Sequence, residues 1–180
     1  MKLNFEPFPV ITSERLLLRK LKGSDQHAIL VLRSDERILK YLDIAKANNL
    51  EDAIRFIVKI NNGIANNECI YWGITLKNNG RLIGTICLWN LSLEDSKAEI
   101  GYVLHPEFQG KGLMQESMGS VIAYGFKEMQ LEMIDAVLHP DNVKSIQVLE
   151  RKKFTRVLKG EDGSEMHQET IYYSLRSSDH

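Results

Sequence analysis

Apolar positions along the chain alternate between two spacings, and each change marks an element. The run Leu16-Leu17-Leu18, followed by Arg19-Lys20-Leu21, predicts a short first strand over residues 16–21. Gly23-Ser24-Asp25 supplies turn and N-cap chemistry for a helix over 25–33. Leu50, Ala53, Ile54, Ile57, Val58 and Ile64 recur at helical spacing. Asn49 can cap that helix, and Glu51 and Asp52 suit the positive end of its dipole. The period then shortens. Residues 71–76 are rich in β-formers, Asn78-Asn79-Gly80 is a hairpin signal, and residues 81–89 form the partner strand. After a polar stretch at 92–96, residues 98–104 read as another strand, ended by His105-Pro106-Glu107-Phe108.

Gln109-Gly110-Lys111-Gly112 leads into a long helix whose apolar stripe is Leu113, Met114, Met118, Val121, Ile122, Phe126 and Met129. A strand at 133–138 follows, then the turn His139-Pro140-Asp141-Asn142, where Asp141 or Asn142 can cap a helix running to Arg151. Residues 154–158, a turn at 160–163 and residues 168–175 predict a closing hairpin, and residues 176–180 a polar tail that frays. The order β-α-α-β-β-β-α-β-α-β-β predicts an α/β (α+β) fold with a mixed sheet and helices on both faces. It is not a regular βαβ repeat.

A chain of 180 residues predicts one domain over 1–180, with its core at about 10–176. Its net charge of −1 argues against binding nucleic acid through a large basic surface. The longest uncharged stretch near the middle, residues 82–93, falls short of the roughly 20 residues a membrane span needs. The N-terminal residues, broken by Glu6 and Pro7, lack the apolar run of a secretory signal. Cys69 and Cys87 form no C-x-x-C pair, which predicts a reducing, cytoplasmic setting without zinc or a disulfide scaffold. Cys87 reads as a small buried strand residue, and Cys69 shows no sign of activation. His27 and His167 have no i,i+4 ligand partner, His105 and His139 each precede a proline at a strand end, and no metal is expected.

The strand–glycine–helix passage at 104–114 holds the most chemistry. The first N–H groups of a helix lack intrahelical acceptors, and glycines let a ligand approach them, so the turn reads as a phosphate site or as an ordinary glycine loop. A P-loop is missing its first glycine, and a Rossmann fingerprint would need Gly where Gln115 stands.

Gln109-x-x-Gly112-x-Met114, after a strand bearing Glu99 and opening a long helix, resembles the pyrophosphate motif of the GNAT superfamily of acyl-CoA-dependent N-acetyltransferases. Ala98-Glu99-Ile100-Gly101-Tyr102-Val103-Leu104-His105-Pro106 and Phe108-Gln109-Gly110-Lys111-Gly112 resemble the RimJ/RimL-type ribosomal-protein N-terminal acetyltransferases. So do Thr12-Ser13-Glu14-Arg15-Leu16-Leu17-Leu18-Arg19 and Asn142-x-x-Ser145-x-x-Val148-Leu149-Glu150-Arg151-x-x-Phe154. Two positions depart from the pattern: Met114, where Gly or Ala is usual, and Lys153, where Gly is common before Phe154.

The resemblance implies a mostly antiparallel sheet with one splayed strand pair and acetyl-CoA as co-substrate. The N–H groups of Gln109, Gly110, Lys111, Gly112, Leu113 and Met114 would hold the pyrophosphate. Val103 and Leu104 would lend backbone hydrogen bonds to the pantetheine arm, and Asn142 would bond within the same wedge besides capping its helix. Glu99 is the candidate general base, its other reading being a salt-bridged strand carboxylate. Many superfamily members carry a tyrosine donor at the position of Leu149. The branch resembled here carries a serine at Ser145, whose hydroxyl can donate to the leaving sulfur or serve only the helix N-terminus. The acceptor implied is a peptide or protein N-terminal α-amine. Alternatives are a small amine such as a polyamine or aminoglycoside, or an acyl-CoA-binding module without turnover. The acceptor groove is expected between the helix at 50–64, the loop before it and the turn at 160–163. Monomer and homodimer are both compatible with the resemblance.

Overall fold

The computed structural model of the protein describes residues 1–42, 44–158 and 170–180. In chain order the elements are β1 (Ile11–Thr12), β2 (Leu16–Arg19), α1 (Gln26–Leu32), α2 (Glu36–Leu39), α3 (Leu50–Ala65), β3 (Ile70–Leu76), β4 (Leu82–Ser92), β5 (Lys97–Leu104), α4 (Leu113–Lys127), β6 (Met133–Leu138), α5 (Val143–Arg151), β7 (Thr155–Val157) and β8 (Ile171–Arg176). They build one sheet in the order β1-β2-β3-β4-β5-β6-β8-β7. Every neighbouring pair is antiparallel except β5 and β6. This is the mixed sheet with helices on both faces that the chain's pattern predicts, mostly antiparallel as the resemblance implies.

β4 explains why both faces are covered. Leu82 to Leu88 are buried without interruption, the mark of a strand packed from above and below. On one face, α4 places Met118, Val121 and Ile122 against Ile86, Leu88, Ala98 and Ile100, and Leu149 of α5 joins the same cluster. On the other, α1 and α3 bring Ile29, Leu32, Ala53 and Ile57 onto Leu21 and Leu82. Asn49 caps α3, its side chain accepting from the Asp52 N–H at 2.9 Å.

Three details differ from the sequence reading. The first strand stops at Arg19 because the next turn is pinned: the Arg19 guanidinium donates twice to Asp25, at 2.8 Å each. The two-residue β1 and four-residue α2 are too short to carry a period. The C-terminal tail does not fray: Ser177 N–H donates to the Glu132 carbonyl at 3.0 Å, and His180 lies 5.4 Å from the Phe126 ring. The turn expected at 160–163 lies outside the described residues.

Candidate active site

The site begins where the parallel pair stops pairing. β5 and β6 are matched at Lys97↔Met133, Ala98↔Ile134 and Glu99↔Asp135, and there the ladder ends. Beyond it, Ile100 to Leu104 run on beside β4 while Ala136 to Leu138 run on beside β8, so the two strands diverge into a wedge. Glu99 and Asp135 are its last paired residues, at the apex.

The alternation of an antiparallel ladder decides which backbone groups look into this wedge. His105 N–H donates to the Ile83 carbonyl at 2.8 Å, so Val103 and Gly101, two and four residues back, also turn their groups to β4. A Cβ on Gly84 of β4 would stand 2.5 Å from the Val103 carbonyl, which confirms that direction. Val103, expected to bond the pantetheine arm, therefore faces the wrong neighbour. Tyr102 and Leu104 turn theirs to the open side, where the Leu104 carbonyl accepts from Gln109 Nε2 at 3.0 Å.

The β5 C-terminus feeds the glycine turn. Gly110 (φ +75°) and Gly112 (φ +74°) both occupy the left-handed region, where an L side chain is strained. Gly112 is the N-cap of α4 and offers no side chain to its first turn. The Gln109 N–H is already bonded to the Pro106 carbonyl at 3.2 Å, so the run of N–H groups open to a ligand starts one residue later than expected. Met114 is buried in the core beside Met118, and the Ser117 hydroxyl donates to its carbonyl at 3.1 Å. Its side chain leaves the turn clear.

Sequence reading missed the brace on this turn. Glu116 Oε1 accepts from the Ser13 hydroxyl and the Arg15 N–H, both at 2.7 Å, and Oε2 accepts from Arg15 Nε at 2.7 Å. Arg15 Nη1 then donates to the Lys111 carbonyl at 3.0 Å. Burial opposes ionisation of Glu116, but these donors outweigh it and hold the carboxyl below its ordinary value. Lys144 of α5 reaches over from the far side, its Nζ donating to Gln109 Oε1 at 3.3 Å. The turn is thus flanked by Arg15, whose charge Glu116 balances, and by Lys144.

The β6 C-terminus feeds the other wall. Asn142 caps α5, its Oδ1 accepting from the Ser145 N–H at 3.2 Å. Ser145 Oγ lies 2.6 Å from the Tyr102 hydroxyl, a pairing across the wedge that nothing local in the sequence announces. Leu149 is fully buried in the core. His105 and His139 serve their own turns, each Nδ1 accepting the N–H two residues on, at 3.3 and 3.1 Å.

Glu99, half-buried, projects to the face opposite α4. Trp89, its register partner on β4, is 46% exposed there, beside a β4 irregularity at which Asn90 has φ +49°. Asp135 flanks Glu99 on β6 and accepts from the Ser174 hydroxyl. Farther along, Tyr71, Cys87 and Gly101 lie in register, and the Arg33 guanidinium stacks 4.1 Å from the Phe56 ring. Burial pushes the Cys87 thiol up to about 12 and raises that of Cys69, so neither is an activated nucleophile. Among the described residues, no three His, Cys, Asp or Glu side chains are grouped to hold a metal, and no helix is long and apolar enough to cross a membrane.

Known proteins share this fold. Residues 15–155 match the family described as acetyltransferase (GNAT) domain. The chain is 32% identical to YdaF of Bacillus subtilis, named a putative ribosomal N-acetyltransferase, over 93% of this chain and 94% of that protein. A GNAT-family acetyltransferase from Bacillus anthracis superposes with a TM-score of 0.78 at 27% identity, covering 93% of this chain and 98% of that one. RimL, a ribosomal α-N-protein acetyltransferase solved with coenzyme A, shares the fold at a TM-score of 0.78 and 19% identity, over 93% of this chain and 98% of that one. With the wedge and the glycine-started helix in place, the match over residues 15–155 makes this chain a member of the GNAT acetyltransferase family, an N-acetyltransferase.

Proposed function

We propose that the chain transfers acetyl from acetyl-CoA to the α-amine at the N-terminus of a peptide or protein. One observation carries the reading: Glu99 stands at the apex of a wedge whose two walls run out to two helix N-termini. The open N–H groups from Gly110 to Met114, with Arg15, Lys111 and Lys144 nearby, would hold the pyrophosphate. Tyr102 and Leu104 would pair with the amides of the pantetheine arm, and Asn142 would bond within the wedge. The thioester then lies toward the apex.

An alkyl ammonium has no lone pair, so Glu99 takes its proton, directly or through a water. The free amine attacks the carbonyl carbon, the N–C bond forms, and the C–S bond breaks with its electron pair passing to sulfur. Ser145 meets that charge with a hydrogen bond from its hydroxyl, and the second amine proton, released as the amide forms, neutralises the thiolate. The name carried by YdaF supports a ribosomal acceptor, and so does the activity named for RimL. The exposed Trp89 beside Glu99 offers an apolar platform for the first side chain of a peptide.

One feature favours a small polyamine instead: Asp135 places a second carboxylate next to Glu99. Turnover of short peptides, spermidine and kanamycin separates the two. The expected result is higher kcat/KM for peptides with a free α-amine, and loss of most turnover when that amine is blocked and a lysine side chain left free. Equal turnover of the blocked peptide, or preference for spermidine, overturns the N-terminal reading.

A further inference from the structure

We propose that Tyr102 is the positioning residue of the leaving-group site: its phenol donates to Ser145 Oγ across the wedge and so aims the serine proton at the departing sulfur. The proposal rests on the reading of Ser145 as the donor to that sulfur.

The two side chains come from opposite walls, Tyr102 from the diverging half of β5 and Ser145 from the first turn of α5. Their oxygens are 2.6 Å apart, and the Tyr102 oxygen also lies 3.4 Å from the Ser145 carbonyl. Either hydroxyl could donate, so chemistry must choose the direction. A phenol is a much stronger acid than an alkyl hydroxyl, and the acid of the pair is the better donor. Tyr102 has a single proton, and its oxygen is flanked by the hydroxyl and the carbonyl of one residue. Donation to either keeps it attached to Ser145. When it donates to Oγ, the serine proton is left free to point elsewhere.

The Ser145 N–H is already held by Asn142, so backbone and side chain are fixed from two sides. Donation into Oγ also polarises the serine O–H and strengthens its own donation. Burial pushes the Tyr102 phenol up to about 12, so it stays protonated across the working range. No proton leaves Tyr102 or Ser145: the serine hydroxyl hydrogen-bonds the sulfur as the C–S bond breaks, and the thiolate is neutralised by the second proton that the attacking amine loses as the amide forms.

A double-mutant cycle tests this on the full chain, with Tyr102→Phe, Ser145→Ala and the double variant measured for kcat, for KM of acetyl-CoA and for Tm. The expected result is a fall in kcat of roughly tenfold for Tyr102→Phe, with KM for acetyl-CoA nearly unchanged. The double variant should be no slower than Ser145→Ala alone, because Tyr102 acts only through that oxygen. If Ser145→Ala is slow while Tyr102→Phe keeps its kcat, or if the two losses multiply, the positioning role is wrong and the serine donor stands. If Ser145→Ala keeps its kcat, the donor reading itself falls and takes this one with it. A Tyr102→Phe variant that loses Tm and acetyl-CoA affinity but not kcat reduces Tyr102 to packing and also overturns the proposal.

Discussion

Two helices begin at the mouth of the same wedge, and the chain treats their first turns in opposite ways. α4 starts from a glycine with no side chain to offer its amides. Its turn is held from the outside, by Arg15 and Glu116. α5 starts from Asn142, whose side chain takes up the Ser145 N–H, and it turns a hydroxyl toward the opposite strand. Both ends carry the positive pole of a helix dipole. One leaves its donors uncapped, which in the proposed function is where a ligand's phosphates bind, while the other caps a donor with its own side chain and presents side-chain chemistry. A helix start becomes an anion site when capping is withheld and the turn is rigidified by something other than a cap.

The largest expected effect tries to erase that difference at α4. Gly112→Asp puts a carboxylate beside the phosphates and a Cβ on a residue with φ +74°. CoA affinity should fall by at least about tenfold, roughly 1.4 kcal/mol, by calorimetry. A folded variant with normal affinity would remove α4 from the binding site.

The next probes the brace. Glu116→Gln should cost roughly 1.5 kcal/mol of stability and weaken CoA binding, because one acceptor oxygen is lost from a charged cluster. The pH dependence has a definite sign. The Glu116 carboxyl is held below its ordinary value of 4.5, so its contribution is complete above that pH and is lost as the pH falls through the lower native value. Acid titration of Tm should be shallower in Glu116→Gln. Parallel curves for the two proteins would show that the brace carries no such load.

The smallest effect belongs to the capped end. Asn142→Ala should lower stability by about 1 kcal/mol, on the order of 2–4 °C in Tm, with CoA affinity reduced far less than in Gly112→Asp. Should Asn142→Ala weaken CoA as much as Gly112→Asp does, the two helix ends are alike and the contrast collapses.

What could be read beforehand divides along the same line. Asn49, Asn142 and the glycine turn are local chemistry: the residue that needs a partner stands within three positions of it. The elements at 50–65, 113–127 and 133–138 are long enough for their apolar period to show. The brace and the leaving-group pair were illegible, because Arg15 and Glu116 are 101 residues apart and Tyr102 and Ser145 are 43 apart. Only the sheet order and the divergence of β5 from β6 bring them together. Val103 failed for a subtler reason. A strand can be located from its pattern, but which alternate residues turn their amides to which neighbour depends on pairing register. The wedge-facing position stays with Leu104 and passes from Val103 to Tyr102.

The gap between β5 and β6 is also an edge placed inside a sheet. Most proteins keep their unpaired strand edges at the rim and blunt them there, because another chain can pair with them. Here the exposed edge is a few residues long and closed at its mouth by two helix starts, so a foreign strand has no room to dock while a slender ligand with amides of its own does. Hydrogen exchange along β5 should therefore alternate in the ligand-free protein, with the Val103 amide locked by β4 and the Tyr102 and Leu104 amides open to water. A bound pantetheine arm would serve as the missing strand and even out that pattern, linking the stability of the sheet to occupancy by the co-substrate.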